Sequence, residues 1–227
     1  ILAESKISER LINFFKASVG WLPGSTVLIV VLLCAFFTAL TGGSGVTILA
    51  LGAILYPILI HDGYSERFSL GIITTAGSLG LLFPPSLPAI IYSVTAGINP
   101  LELFRQALIP AIFLMSIMFF YGLYKKPQVR KIEKFDLSRA LETANIAKWE
   151  IAIPVLIILS LFTGFATLVE SAALLVLYVI SVELFIYKDI SMKDLPKIII
   201  NCATLVGGVL IILGFAMGFT GYLVDAQ

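Results

Sequence analysis

The residues of this chain best suited to chemistry are the hydroxyls and glycines of Thr41, Gly42, Gly43, Ser44, Gly45 and Thr47, set in otherwise apolar sequence. An interrupted helix leaves backbone carbonyls on one side of the break and amides on the other without partners. Carbonyls at the end of Val27–Leu40, joined by the Thr41, Ser44 or Thr47 hydroxyls, suit a hard cation such as Na⁺. Amides at the start of the next half-helix, near Val46, suit a carboxylate. A second interruption, Pro84-Pro85-Ser86-Leu87-Pro88, offers the same two kinds of end. Glycines at 42, 43 and 45 allow torsions and close approach that side chains would block. Against this stands a plainer reading, in which both features are kinks and packing glycines, since Gly and Pro are frequent in membrane helices.

Two other function classes use the same residues. Gly42-Gly43-Ser44-Gly45 fits the G-x-S-G pattern of rhomboid-type intramembrane serine proteases, which need a base beside the serine. The sole imidazole, His61, follows in a polar turn at the membrane surface, at the wrong depth. A non-transporting assembly subunit would use the glycines for helix packing alone. Cys34 and Cys202 lie in apolar runs and read as small hydrophobes rather than a disulfide or metal ligands. No cofactor and no enzyme activity is expected.

The elements that position these residues are membrane helices. Of 227 residues, 59% are hydrophobic and 13% charged, about half the usual charged share of roughly 25%. Mean hydropathy is +1.04, which reads as an all-α polytopic membrane protein. The net charge of +1 gives no electrostatic case for nucleic acid.

In chain order, residues 1–25 read as an interfacial helix and loop ending at Trp21-Leu-Pro-Gly24. Residues 26–60 read as a re-entrant hairpin. Its two apolar runs give roughly 20–23 Å each as helices, against about 30 Å of hydrocarbon, so its tip would lie at membrane depth, where irregular backbone needs protein or a watery cavity around it. Ser65 is a helix cap. Residues 68–97 read as one span broken at the prolines, which remove amide donors and restrict their neighbours. Asn99, Pro100 and Glu102 start the span 101–124. Residues 125–150 form a polar connecting arm, with an amphipathic helix or solvated linker at Ser138–Trp149. Spans 151–165, 168–187 and 198–224 follow. Thr167 and Glu170 form a capping box, which explains Glu170 more simply than a functional membrane carboxylate does.

Charge assigns the sides. A hairpin that returns to its side of entry places the basic segments, all but Arg105, in one compartment, which the positive-inside rule makes cytoplasmic. A kinked full span over Val27–Ile60 would destroy that asymmetry.

The residues Phe36-Phe-Thr-Ala-Leu-Thr-Gly-Gly-Ser-Gly-Val-Thr47, Tyr56-Pro57, Gly77-Ser-Leu-Gly-Leu-Leu-Phe-Pro-Pro-Ser-Leu-Pro88, Trp21-Leu-Pro-Gly24 and the Thr167–Ala173 stretch resemble the large membrane subunit of TRAP (tripartite ATP-independent periplasmic) transporters. The resemblance implies a sodium-driven, elevator-type importer of organic acid anions, C4-dicarboxylates or related carboxylates, in a bacterial or archaeal inner membrane. It implies a small membrane subunit and a periplasmic substrate-binding protein as partners. It also implies two inverted repeats, of which this chain carries the first, the C-terminal repeat lying outside it. Thr41, Gly42, Gly43, Ser44 and Gly45, completed by Phe83, Pro84, Pro85 and Ser86, would then form a Na⁺ site. Ser44, Val46, Thr47, Ser86 and Leu87 would face the substrate. One common pattern of the family has a second Ser where Gly45 stands, which shifts weight here to backbone oxygen.

Overall fold

A computed structural model describes residues 5–125, 136–163 and 166–226, and among these residues every regular element is helical. Two compact units are present, one running to Val179 and the other beginning at Ile180.

The first unit is built on α1 (Ile7–Val19), α2 (Ser25–Thr41) and α3 (Ser44–His61). Next come α4 (Glu66–Leu79), a 3₁₀ turn at Gly80–Leu82, α5 (Leu87–Ala96) and α6 (Pro100–Tyr124). Helix α1 is amphipathic, with Ile7, Leu11 and Ile12 buried and Glu9 exposed. The core lies between α2, α3 and α4, where Val27, Val30, Leu33, Phe37, Leu51, Leu55 and Ala76 are fully buried.

Helices α2 and α3 form an antiparallel hairpin turning at Gly42 and Gly43. Its base is closed by a hydrogen bond from Thr26 Oγ1 to the Asp62 carboxylate. Tyr64 stacks on Phe68 at 4.9 Å between ring centres, and Phe68 meets Tyr121 at 5.6 Å. The start of α2, the end of α3, the start of α4 and the end of α6 therefore share one end of the bundle. The hairpin arms have 17 and 18 residues, about 26 Å each, longer than the apolar runs indicated because α2 also takes in Ser25, Thr26 and Thr41, and α3 also takes in Ser44, Gly45 and His61. Length does not by itself separate the arm Ser44–His61 from a full span.

Between α4 and α5 the chain bends by 42°. The interruption is narrower than Pro84–Pro88: Phe83 to Ser86 are non-helical, while Leu87 and Pro88 already form the first turn of α5. A proline fits there because first-turn amides have no helical acceptor. The Pro84–Pro85 peptide is cis. Other starts follow the sequence signals. Ser65 Oγ accepts from Phe68 N at 3.4 Å, and Asn99 Oδ1 accepts from Leu101 N at 2.9 Å.

Residues 126–135 of the polar arm lie outside the described residues, as do 1–4, 164, 165 and 227. The described remainder of the arm holds α7 (Leu137–Ile146), capped by Asp136, and runs directly into α8 (Lys148–Phe162). Arg10 of α1 is ion-paired with Glu150 at the start of α8, and their side chains are 13% and 1% exposed. Before α9 (Leu168–Ser181), Thr167 N and Oγ1 both donate to Glu170 Oε2 at 2.8 Å, and Glu170 N donates back to Thr167 Oγ1 at 3.4 Å. The carboxylate is thus occupied as a cap.

The second unit contains a single π turn at Val182–Ile186 and the 31-residue α10 (Leu195–Asp225). By length and apolarity, Ser44–His61, Pro100–Tyr124, Val169–Ile186 and Leu195–Leu223 can each cross a membrane, and the bent pair Glu66–Leu82 with Leu87–Ala96 can do so together.

Candidate functional site

The hairpin tip rests on the interruption between α4 and α5, so the two sequence features form one place. Gly42 makes the contact. Its φ of +69° is left-handed, and a Cβ there would stand 2.8 Å from Leu87 Cβ. Both facts require glycine. Gly43 is extended, with φ −134°, and Gly45 lies in the first turn of α3 with open space around it, so neither needs glycine for its torsion. One turn below the tip, Gly80 closes on α2. A Cβ on it would lie 2.5 Å from Thr38 Cβ and 2.7 Å from the Ala35 carbonyl oxygen.

Three tip oxygens cluster tightly. Thr41 Oγ1 is 3.1 Å from Thr47 Oγ1, and the two hydroxyls lie 3.4 and 3.3 Å from the Gly43 carbonyl oxygen. Hydrogen bonds account for these separations, the Gly43 carbonyl accepting from the threonine hydroxyls. The sequence sets the Thr47 hydroxyl both with Thr41 and Ser44 at the cation end and with the substrate-facing residues; in the structure it lies against Thr41. The Ser44 carbonyl oxygen approaches Gly77 of α4, at 3.5 Å from a Cβ built there.

Two hydroxyls near the break have no hydrogen-bond partner among the described residues although both are fully buried: Thr38 Oγ1 and Ser86 Oγ. A buried hydroxyl left unpaired costs about 1–3 kcal/mol, so each such atom requires an explanation. A helical threonine ordinarily back-bonds to the carbonyl four residues earlier, as Thr74, Thr75 and Ser78 do here at 2.8–3.2 Å. Thr38 does not. Ser86 stands at the N-cap position of α5 without capping it. Phe83, Pro84 and Pro85 are half-buried beside it.

Helix polarity adds to this arrangement. The carbonyl end of α2 and the amide ends of α3 and α5 meet where Gly42 touches Leu87, so an oxygen-lined negative end adjoins two positive ends. Such a place can hold a hard cation on the Thr38–Thr41 side and an anionic group before Ser44, Val46 and Leu87. Thr38 is the residue that sequence reasoning missed. Its only signal is a hydroxyl one turn ahead of Thr41 in a helix that is otherwise almost wholly apolar.

The protease geometry is absent. Ser44 and His61 occupy opposite ends of α3, about 26 Å apart along the axis. His61 is exposed beside Asp62.

With this geometry in view, comparison with known proteins decides the lineage. All of residues 1–227 match the family described as "Tripartite ATP-independent periplasmic transporter, DctM component". The chain belongs to this family. As a TRAP permease sequence it is 30% identical over 235 residues to the C4-dicarboxylate TRAP transporter large permease protein DctM of Rhodobacter capsulatus, covering 96% of this chain and 53% of that protein. It is 27% identical over 235 residues to the ectoine TRAP transporter large permease protein TeaC of Halomonas elongata, covering 100% and 54%. It is 28% identical over 216 residues to the isethionate TRAP transporter permease protein DctMQ of Oleidesulfovibrio alaskensis, covering 94% and 34%. The chain thus spans about half the length, or less, of these curated relatives.

Proposed function

We propose that this TRAP permease chain supplies half of the ion and substrate site of a sodium-coupled importer of organic acid anions. Na⁺ is the coupling ion, taken at the hairpin tip and the α4–α5 break by Thr38, Thr41, Thr47 and Ser86 with backbone oxygen from Gly42, Gly43 and Phe83. The observation that carries this reading is the pair of buried, unpartnered hydroxyls at Thr38 and Ser86. A cation accepts lone pairs from such oxygens and removes the penalty of burying them unpaired. The substrate carboxylate is met by the first-turn amides of α3 and α5, near Ser44, Gly45, Val46 and Leu87.

The hairpin is re-entrant in this reading, because its tip stops at the break while α5 and the first turns of α6 extend past it. Function requires the second repeat, a small membrane subunit and a periplasmic binding protein, and the site moves across an inner membrane by an elevator motion. The substrates named for the relatives (C4-dicarboxylates, ectoine, isethionate) delimit the panel to try. Uptake by proteoliposomes holding the complete permease and its small subunit, supplied with the binding protein, tests the proposal. Accumulation should follow an imposed inward Na⁺ gradient, and uptake of the same size without Na⁺ overturns the coupling.

A further inference from the structure

A second site lies away from the hairpin tip, in a groove of about 480 Å³ between α4 and α6. At its mouth stand Ser65, Arg67, Tyr121 and Lys125; further in, Gly71, Ile72, Ile117 and Met118 line it. From Arg67 to Thr75 on α4 is eight residues, about 12 Å of helix. Helix α6 runs the other way, so Lys125 descends to Ile117 over the same depth. The groove is therefore cationic at one end and apolar along the rest of its length.

Neither cation meets a carboxylate among the described residues. Arg67 is exposed and makes no hydrogen bond or ion pair to any described residue. Lys125 Nζ lies 5.5 Å from the Tyr121 ring centre and has no carboxylate beside it among the described residues. The mouth is at the end of the bundle that also carries exposed Trp21 and His61, where the chain leaves the apolar layer. Along the groove the α6 wall is uncovered, with Ile117 47% and Tyr121 49% exposed.

We infer that this groove binds one anionic phospholipid of the phosphatidylglycerol class, its phosphate between Arg67 and Lys125 and the upper part of one acyl chain along Ile72, Ile117 and Met118. Two cations with no carboxylate partner among the described residues, set at a membrane interface, select net negative headgroups over zwitterionic ones, each contributing about a fivefold gain in binding. Gly71 leaves room for the chain where a larger side chain would fill the trough.

Native mass spectrometry of the full permease with its small subunit, titrated with dioleoyl phosphatidylglycerol or dioleoyl phosphatidylcholine, tests the assignment. The parent should hold one phosphatidylglycerol tightly and phosphatidylcholine at least tenfold more weakly. Arg67→Ala with Lys125→Ala should weaken phosphatidylglycerol about 25-fold, two charges at about fivefold each. Arg67→Lys with Lys125→Arg should stay within about threefold of the parent, by retention of both charges. Ile117→Trp keeps both cations and obstructs the groove, so it should also lose the lipid, and it decides the matter if the alanine pair fails to assemble. Equal retention of the two lipids, or unchanged binding by the Ile117→Trp form, overturns the proposal. So does a photocrosslinker at position 117 that captures the permease itself rather than lipid.

Discussion

Single hydroxyls decide what the hairpin tip can hold. Thr38→Val preserves shape and removes a buried oxygen that has no hydrogen bond, so it should leave stability unchanged or slightly raised. If Thr38 holds the cation, the Na⁺ concentration for half-maximal uptake should rise about tenfold, the cost of one lost ligand of about 1.4 kcal/mol. Ser86→Ala should behave alike, and a threonine variant with normal sodium dependence would remove Thr38 from the site. Gly80→Ala is the steric counterpart. The new methyl meets Thr38 Cβ at 2.5 Å and a backbone oxygen at 2.7 Å, which should cost about 1–3 kcal/mol by overpacking. Gly207→Ala, with open space around it in α10, should instead be neutral or stabilising by up to ~1 kcal/mol. Thermal unfolding of the two purified variants distinguishes these outcomes.

Among the elements, helix starts were legible in the sequence because caps are local chemistry. Ser65, Asn99 and the Thr167–Glu170 pair all bond as their spacing indicates. The two interruptions were legible for the same reason, since Gly and Pro act on their own backbone. What composition concealed was continuity. Polar Thr41 and Ser44 look like the ends of hydrophobic runs, yet helical bonding carries through both and lengthens the hairpin arms. Pro88 reads as part of the break, yet lies where a helix needs no amide. That Thr41 and Thr47 flank one break is legible in the sequence, whereas the Gly43 carbonyl that both hydroxyls reach is set by how the hairpin closes.

The Arg10–Glu150 pair was equally invisible, because 140 residues separate its members. It fastens α1 to the start of α8. Arg10→Ala removes the cation from a carboxylate that is 1% exposed and should cost up to about 3–5 kcal/mol, whereas Arg10→Met with Glu150→Leu should lose less than that. Chemical denaturation of the purified variants measures both. A double variant as unstable as the single one would mean that the pair contributes more than burial of like-sized apolar groups.

At the scale of the whole molecule, charge distribution and helix packing agree on which termini belong together. Among the described residues of the first unit, Arg67 and Lys125 lie at the end of the bundle that carries Trp21 and His61, while Arg105 lies near the opposite end of α6. Cysteine placed at Asn145 should therefore react with an impermeant maleimide only from the cytoplasmic face, and cysteine at Asn99 only from the periplasmic face. Reaction of Asn145→Cys in intact spheroplasts would reverse the orientation.

The hairpin is fastened twice: at its base by Thr26 and Asp62, and at its tip by Thr41 and Thr47. Two helices clamped at both ends, with a fully buried seam of Leu33, Phe37, Leu51 and Leu55 between them, have little freedom to scissor. Such a prong tilts or shifts as a whole. A displacement that began at the tip would then be carried some 26 Å to the His61–Gly63 turn, the far end of the lever.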